Sequence, residues 1–212
     1  MLTTTLGALL AFCAAASLLT ITPGPDTALI LRLSAAEGRR SGMAAAAGTA
    51  LGCLVWATVT ALGLGALLAA SQTAYTILRW VGAAYLVWVG LKLIVKPRTE
   101  FAPPSASGPP ARGAWSALAK GFLTNVLNPK VGVFYVSFLP QFVPHGVEVA
   151  PFIVLLGAVH AAIGLAWLSF LAGATQSLAG WLRRPRVLKI LDRLTGAVFL
   201  AFGARLALDS RP

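Results

Sequence analysis

Two short stretches carry the residues best placed to do chemistry in this chain. ITPGPDTALIL (21–31) sets Asp26 directly after Pro23-Gly24-Pro25, and TNVLNPKVG (124–132) sets Lys130 directly after Asn128-Pro129. Both stretches lie inside long apolar runs. A charged side chain at the centre of a bilayer costs at least about 2.5–3.5 kcal/mol on insertion scales, so each needs a partner or water. A proline inside a helix removes a backbone donor and costs about 3 kcal/mol more. A helix restarting at each proline would put Asp26 at a positive dipole end, which favours an anion. It would put Lys130 at another, which disfavours a cation and leaves the lysine in need of a counter-charge. Together the two match a small molecule that carries one ammonium and one carboxylate. A permanent structural ion pair is the competing reading.

Neighbouring polar residues extend the candidate set. Asn125 flanks the second break, while Thr22, Thr124 and Gln141 are suited to capping backbone groups freed at the breaks. His160, in GAVHAAIGLAW, lies mid-run and serves either as a cavity wall and proton relay or as a neutral donor to a helix carbonyl. The candidate binding residues are therefore Pro23, Gly24, Pro25, Asp26, Asn125, Asn128, Pro129, Lys130 and His160. Cys13 and Cys53 form no CxxC pair and read as small packing residues. With two distant histidines and no acidic cluster, the chain offers no metal site and calls for no cofactor.

The elements that must hold these residues follow from composition. Of 212 residues, 58% are hydrophobic and 11% charged, against about 25% charged in an ordinary soluble domain. An all-α integral membrane protein is expected. With about 20 apolar residues needed per crossing, six transmembrane helices are expected near 5–32, 42–70, 75–95, 118–143, 149–178 and 190–208. Residues 96–115, KPRTEFAPPSASGPPARGAW, form an aqueous linker between a first half (1–95) and a second (116–212). No Lys or Arg precedes Arg32, so the N-terminus lacks the basic region of a cleaved signal peptide.

The net charge of +11 sits in short clusters between apolar runs, a topological signal and not a nucleic-acid stripe. Arg39 and Arg40, then Lys96 to Lys120, then Arg183 to Lys189 fall in alternate loops. The intervening SQT and PHGVEVA loops carry no Lys or Arg. The basic loops are expected in the cytoplasm and both termini in the periplasm. The halves also resemble each other: setting Gly82 on Gly196 aligns Arg79 with Arg193 and Tyr85 with Phe199, and setting Pro25 on Pro129 places Asp26 opposite Lys130. Three crossings is an odd number, so the halves form an inverted repeat in which the first helix of each is broken. Gly48, Gly52, Gly63 and Gly65 allow close helix approach, for packing or for a homodimer face.

These motifs carry a resemblance. PGP in the first span and NPK with a downstream PQF in the fourth, together with GMAAAAGTALGCLVW and WVGAAYLVWVGLKL, make the chain similar to the lysine exporter (LysE) family, nearest its homoserine/threonine-efflux branch. The resemblance implies an amino-acid exporter of the bacterial inner membrane, driven by the proton motive force, with a small neutral or basic amino acid and protons as partners. It implies no enzyme activity. A membrane redox carrier, or another small-solute or ion transporter on a six-helix scaffold, is the alternative.

Overall fold

Helix boundaries in this chain are set by its prolines and glycines. The computed structural model describes residues 2–100, 113–144, 146–174, 180–181 and 184–208, and every regular element among them is helical. Helix α1 (Leu2–Ile21) stops ahead of Pro23, because proline pushes the preceding residue out of the helical region. Helix α2 (Pro25–Glu37) restarts with Pro25 in its first turn, where a missing N–H costs nothing, and ends at Gly38 with φ +90°. Then come α3 (Arg39–Ala70) and α4 (Gln72–Val95). In the second half α5 (Ala114–Val126) follows Gly113, whose φ is +96°. Asn128-Pro129 starts the short α6 (Pro129–Val133), which runs on as a π-helical turn (Phe134–Phe138) and a 3-10 turn (Leu139–Phe142). Pro140 cannot donate to the helical ladder, and the hydrogen-bond register shifts just ahead of it. Helices α7 (Val149–Gly173) and α8 (Pro185–Leu208) follow.

Helix α3 packs chiefly on α7 and α5, and α4 on α8. Backbone-to-backbone approach makes this possible: a Cβ on Gly121 would lie within 3 Å of the Ala45 backbone, and one on Gly48 would meet the Leu118 carbonyl. Gly48 and Gly52 are thus occupied by α5 inside the protein. Gly63 has open space around it. An aromatic cluster of Phe12, Phe134, Tyr135, Phe138 and Phe142 fills one part of the core. Leu29, Ile30, Leu33, Leu168 and Leu171 fill another, around α2 and the end of α7. Outward-facing residues are apolar as well, including Leu10, Val59, Trp88 and Phe170, which suits a lipid surround.

By length and composition Arg39–Gly63 and Val149–Gly173 can each cross a membrane. The α1–α2 pair, bent by 53°, adds a third span when counted as one, and Trp80–Val95 is a shorter apolar helix. Several boundaries differ from the sequence expectation. Helix α3 starts at Arg39, α5 starts inside the expected linker, and α8 starts at Pro185 rather than near Ile190, because proline favours a first turn. Much of the linker (101–112) and the end of the fifth expected span (175–179) lie outside the described residues. The aligned glycines also take different neighbours. Gly196 faces the backbone of Gly90, whereas Gly82 faces Ser137.

Candidate substrate site at the two helix breaks

The breaks expected from the prolines lie against each other and share one cavity of about 50 Å³. Gly24, Asp26, Asn125, Asn128, Lys130 and His160 all line it, with Thr20, Cys53 and Gly164 among the other lining residues. Of the nine residues singled out above, Pro23, Pro25 and Pro129 shape the breaks instead of lining this cavity. Pro129 faces a second, largely apolar cavity of about 520 Å³ bounded by Trp56, Tyr85 and Val136.

Asp26 lies in the first turn of α2. Its Oδ2 accepts hydrogen bonds from Asn128 Nδ2 at 3.1 Å and Asn125 Nδ2 at 3.5 Å. Its Oδ1 is buried without a hydrogen-bond partner, as are Asn125 Oδ1 and Thr20 Oγ1. Asn128 has a double task, since its Oδ1 also accepts from the Lys130 backbone N–H at 3.1 Å and caps α6.

Lys130 does not reach for Asp26. Its Nζ donates to the carbonyls of Leu19 (2.9 Å) and Thr22 (3.1 Å). These are freed carbonyls at the C-terminal end of α1, where the helix dipole is negative. The charge disfavoured at the start of α6 is therefore held by the end of α1. Both ionic groups face one cavity, each bonded to uncharged groups.

His160 also departs from the helix-carbonyl role considered for it. Its Nδ1 lies 3.0 Å from the Tyr135 hydroxyl, so which atom donates depends on the tautomer. Thr22 Oγ1 donates to the Leu18 carbonyl at 2.7 Å, which already accepts the Thr22 backbone N–H at 3.0 Å, so it caps no freed group; it also meets the Thr195 hydroxyl at 2.6 Å. Gln141 donates to the Ser137 carbonyl.

Sequence reasoning missed Arg98 and Asp192. Arg98 sends Nη1 to the Pro23 carbonyl at 2.7 Å and grips the fully buried Asp192 through Nε (3.0 Å), Nη2 (2.5 Å) and its backbone N–H (2.8 Å). Arg98 had counted only as a loop charge, and nothing in LDRL marks Asp192 as buried. Among the described residues no three His, Cys, Asp or Glu side chains gather as a metal site.

An all-helical bundle with an apolar exterior, and a cavity lined by Asp26, Lys130 and other polar residues where two interrupted helices meet, is a construction that membrane transport proteins use. The family model described as "LysE type translocator" matches residues 17–210, and the chain belongs to that family. It is 33% identical over 204 residues to a leucine efflux protein of Klebsiella pneumoniae, covering 93% of each chain. It is 28% identical over 198 residues to a homoserine/homoserine lactone efflux protein of Salmonella typhimurium, covering 93% of this chain and 94% of that one. An uncharacterized membrane protein of Bacillus subtilis, YrhP, is 26% identical over 207 residues, covering 95% of this chain and 99% of its own length. No solved structure gives a significant match.

Proposed function

We propose that this protein exports a small neutral amino acid across the bacterial inner membrane, and that the cavity at the helix breaks is where the amino acid sits. The observation that carries the reading is a pair of buried acceptors without partners, Asp26 Oδ1 and Asn125 Oδ1, on two residues that line the cavity. An unsatisfied buried polar atom costs about 1–3 kcal/mol, more when charged. A substrate ammonium offsets that cost by donating to both. The third N–H of Lys130, beyond the two given to Leu19 and Thr22, meets the carboxylate. Val131, Leu168 and Gly164 then bound the side chain, which favours a small apolar group over a second charge. The relatives named for leucine and homoserine efflux support the same class.

The surrounding architecture in this reading is six spans in two inverted three-helix halves, 1–95 and 116–212, with both termini periplasmic and the basic linker cytoplasmic. Asp26 carries the coupling proton when no ammonium is bound, so the proton motive force drives export. Everted membrane vesicles test this directly. Under an imposed proton gradient they should accumulate one or a few neutral amino acids, with uptake abolished by a protonophore and by Asp26→Asn. Vesicles that hold the folded protein yet accumulate no amino acid would sink the reading. For the orientation, Glu100→Cys should resist an impermeant thiol reagent in intact cells, and labelling there would reverse the assignment.

A further inference from the structure

The side chain of Arg98 joins three parts of the protein that are remote in sequence. It belongs to the segment just after α4, it grips Asp192 on α8, and it donates to the carbonyl of Pro23 in the break between α1 and α2. Asp192 is fully buried, with both carboxylate oxygens bonded to Arg98. Such a bidentate fork fixes direction as well as distance. One turn further along α8, Thr195 bonds Thr22 at 2.6 Å. Two successive turns of α8 therefore hold two successive residues of the break, one through Arg98 and one directly.

The break so held is the one that feeds the cavity. Thr22 O is a ligand of Lys130 Nζ, and Gly24, next to Pro23, lines the cavity with Lys130 Nζ close by. We propose that Arg98 is a positioning residue: anchored by Asp192, it clamps the Pro23 carbonyl, holds the break against Lys130 and so limits access to the cavity. When Arg98 lets go, the Pro23 carbonyl is freed and the α1 end can swing away from Lys130. Only the expected effect on export rests on the transport reading above. The clamp itself is tested without it.

Cys53 is the built-in reporter. It lines the cavity and is 4% exposed. With Cys13→Ser it becomes the single thiol of the chain. In everted vesicles, where the proposed topology turns the linker outward, maleimide should label Cys53 slowly in that background. Arg98→Ala and Asp192→Asn should each speed labelling at least tenfold and lower the export rate. Arg98→Lys keeps a charge beside Asp192 but lacks a fork able to span Asp192 and Pro23 together, so it should label at an intermediate rate. This variant also covers the case in which Arg98→Ala does not accumulate in the membrane. The reversed pair, Arg98→Asp with Asp192→Arg, restores opposite charges but leaves residue 98 without a donor for Pro23, so labelling should stay fast. Unchanged labelling in folded Arg98→Ala and Asp192→Asn protein, or slow labelling restored by the reversed pair, overturns the clamp. Fast labelling in variants of a protein that exports nothing would uphold the clamp and remove the transport reading.

Discussion

The two helix breaks solve one problem by different means. At Asn128-Pro129 the solution is local: the Asn128 side chain caps the helix that its own residue begins, and its carbonyl accepts from Val131 and Gly132. At Pro23-Gly24-Pro25 the residue before the new helix is a glycine with no side-chain cap. The freed carbonyls are met instead by cations from far along the chain, Lys130 on those of Leu19 and Thr22, and Arg98 on that of Pro23. One break is held by its neighbours in sequence, the other by its neighbours in space. A locally capped break keeps its shape when the rest of the protein moves. A break held by remote cations changes whenever they move, and so can serve as the moving part of a transport cycle.

Removing Lys130 should therefore have the largest effect. Lys130→Met leaves the Leu19 and Thr22 carbonyls without their donor, and an unsatisfied group shielded from water at membrane depth costs several kcal/mol. Export should vanish and membrane-resident protein should fall, with Lys130→Arg recovering the protein but little of the transport. Transport at the wild-type rate by Lys130→Met would mean that the remote cation does not hold the first break. Replacing both prolines, Pro23→Ala with Pro25→Ala, attacks the break itself. Straightening α1 into α2 should abolish export while the protein still inserts, measured as transport normalised to membrane-resident protein. A double variant that transports normally would reduce the Pro-Gly-Pro to an ordinary kink.

A smaller loss is expected at the locally held break. Asn128→Ala removes an N-cap, at about 1 kcal/mol, together with the 3.1 Å bond to Asp26. Export should drop roughly tenfold per molecule, a figure of about 1.4 kcal/mol in activation free energy. Asn128→Ser retains a capping oxygen but not the reach to Asp26, so it separates the two tasks. Recovered stability with unrecovered export would assign the transport role to the Asp26 contact. Full recovery of both would confine Asn128 to capping.

This contrast also explains what could be read from the chain. The prolines, the apolar context and the charges beside them are local facts, and they mark both breaks and the charged and amide residues of the cavity wall. Asn128 was marked as a binding residue beside its proline, whereas its capping of α6 was not expected. The partners of Lys130 and His160 could not be read. Leu19 and Tyr135 are 111 and 25 residues away from them in sequence, and no periodicity encodes such pairings. Arg98 was hidden by its neighbours, because it lies in a basic segment that the sequence reading took only as a topology signal. The π-helical turn was invisible too, being a register shift ahead of Pro140 and not a change in composition.

The smallest expected effect is the sharpest test of where the substrate sits. Gly164 on α7 and Gly63 on α3 both have open space where a Cβ would go. Only Gly164 lines the cavity. An alanine in a helix interior is favoured over glycine by about 0.5–1 kcal/mol, so both Gly63→Ala and Gly164→Ala should leave the protein as stable as before or slightly more so, read by thermal unfolding in detergent. They should part company in transport. Gly63→Ala should export as the parent does. Gly164→Ala narrows a cavity of about 50 Å³ by one methyl group, and a methylene-sized misfit in an apolar pocket is worth about 1–3 kcal/mol. Its KM should rise roughly tenfold for the native substrate and less for glycine or alanine, with little change in maximal rate. Equal kinetics for the two variants would move the substrate away from α7, and with it the side-chain pocket assigned to this cavity.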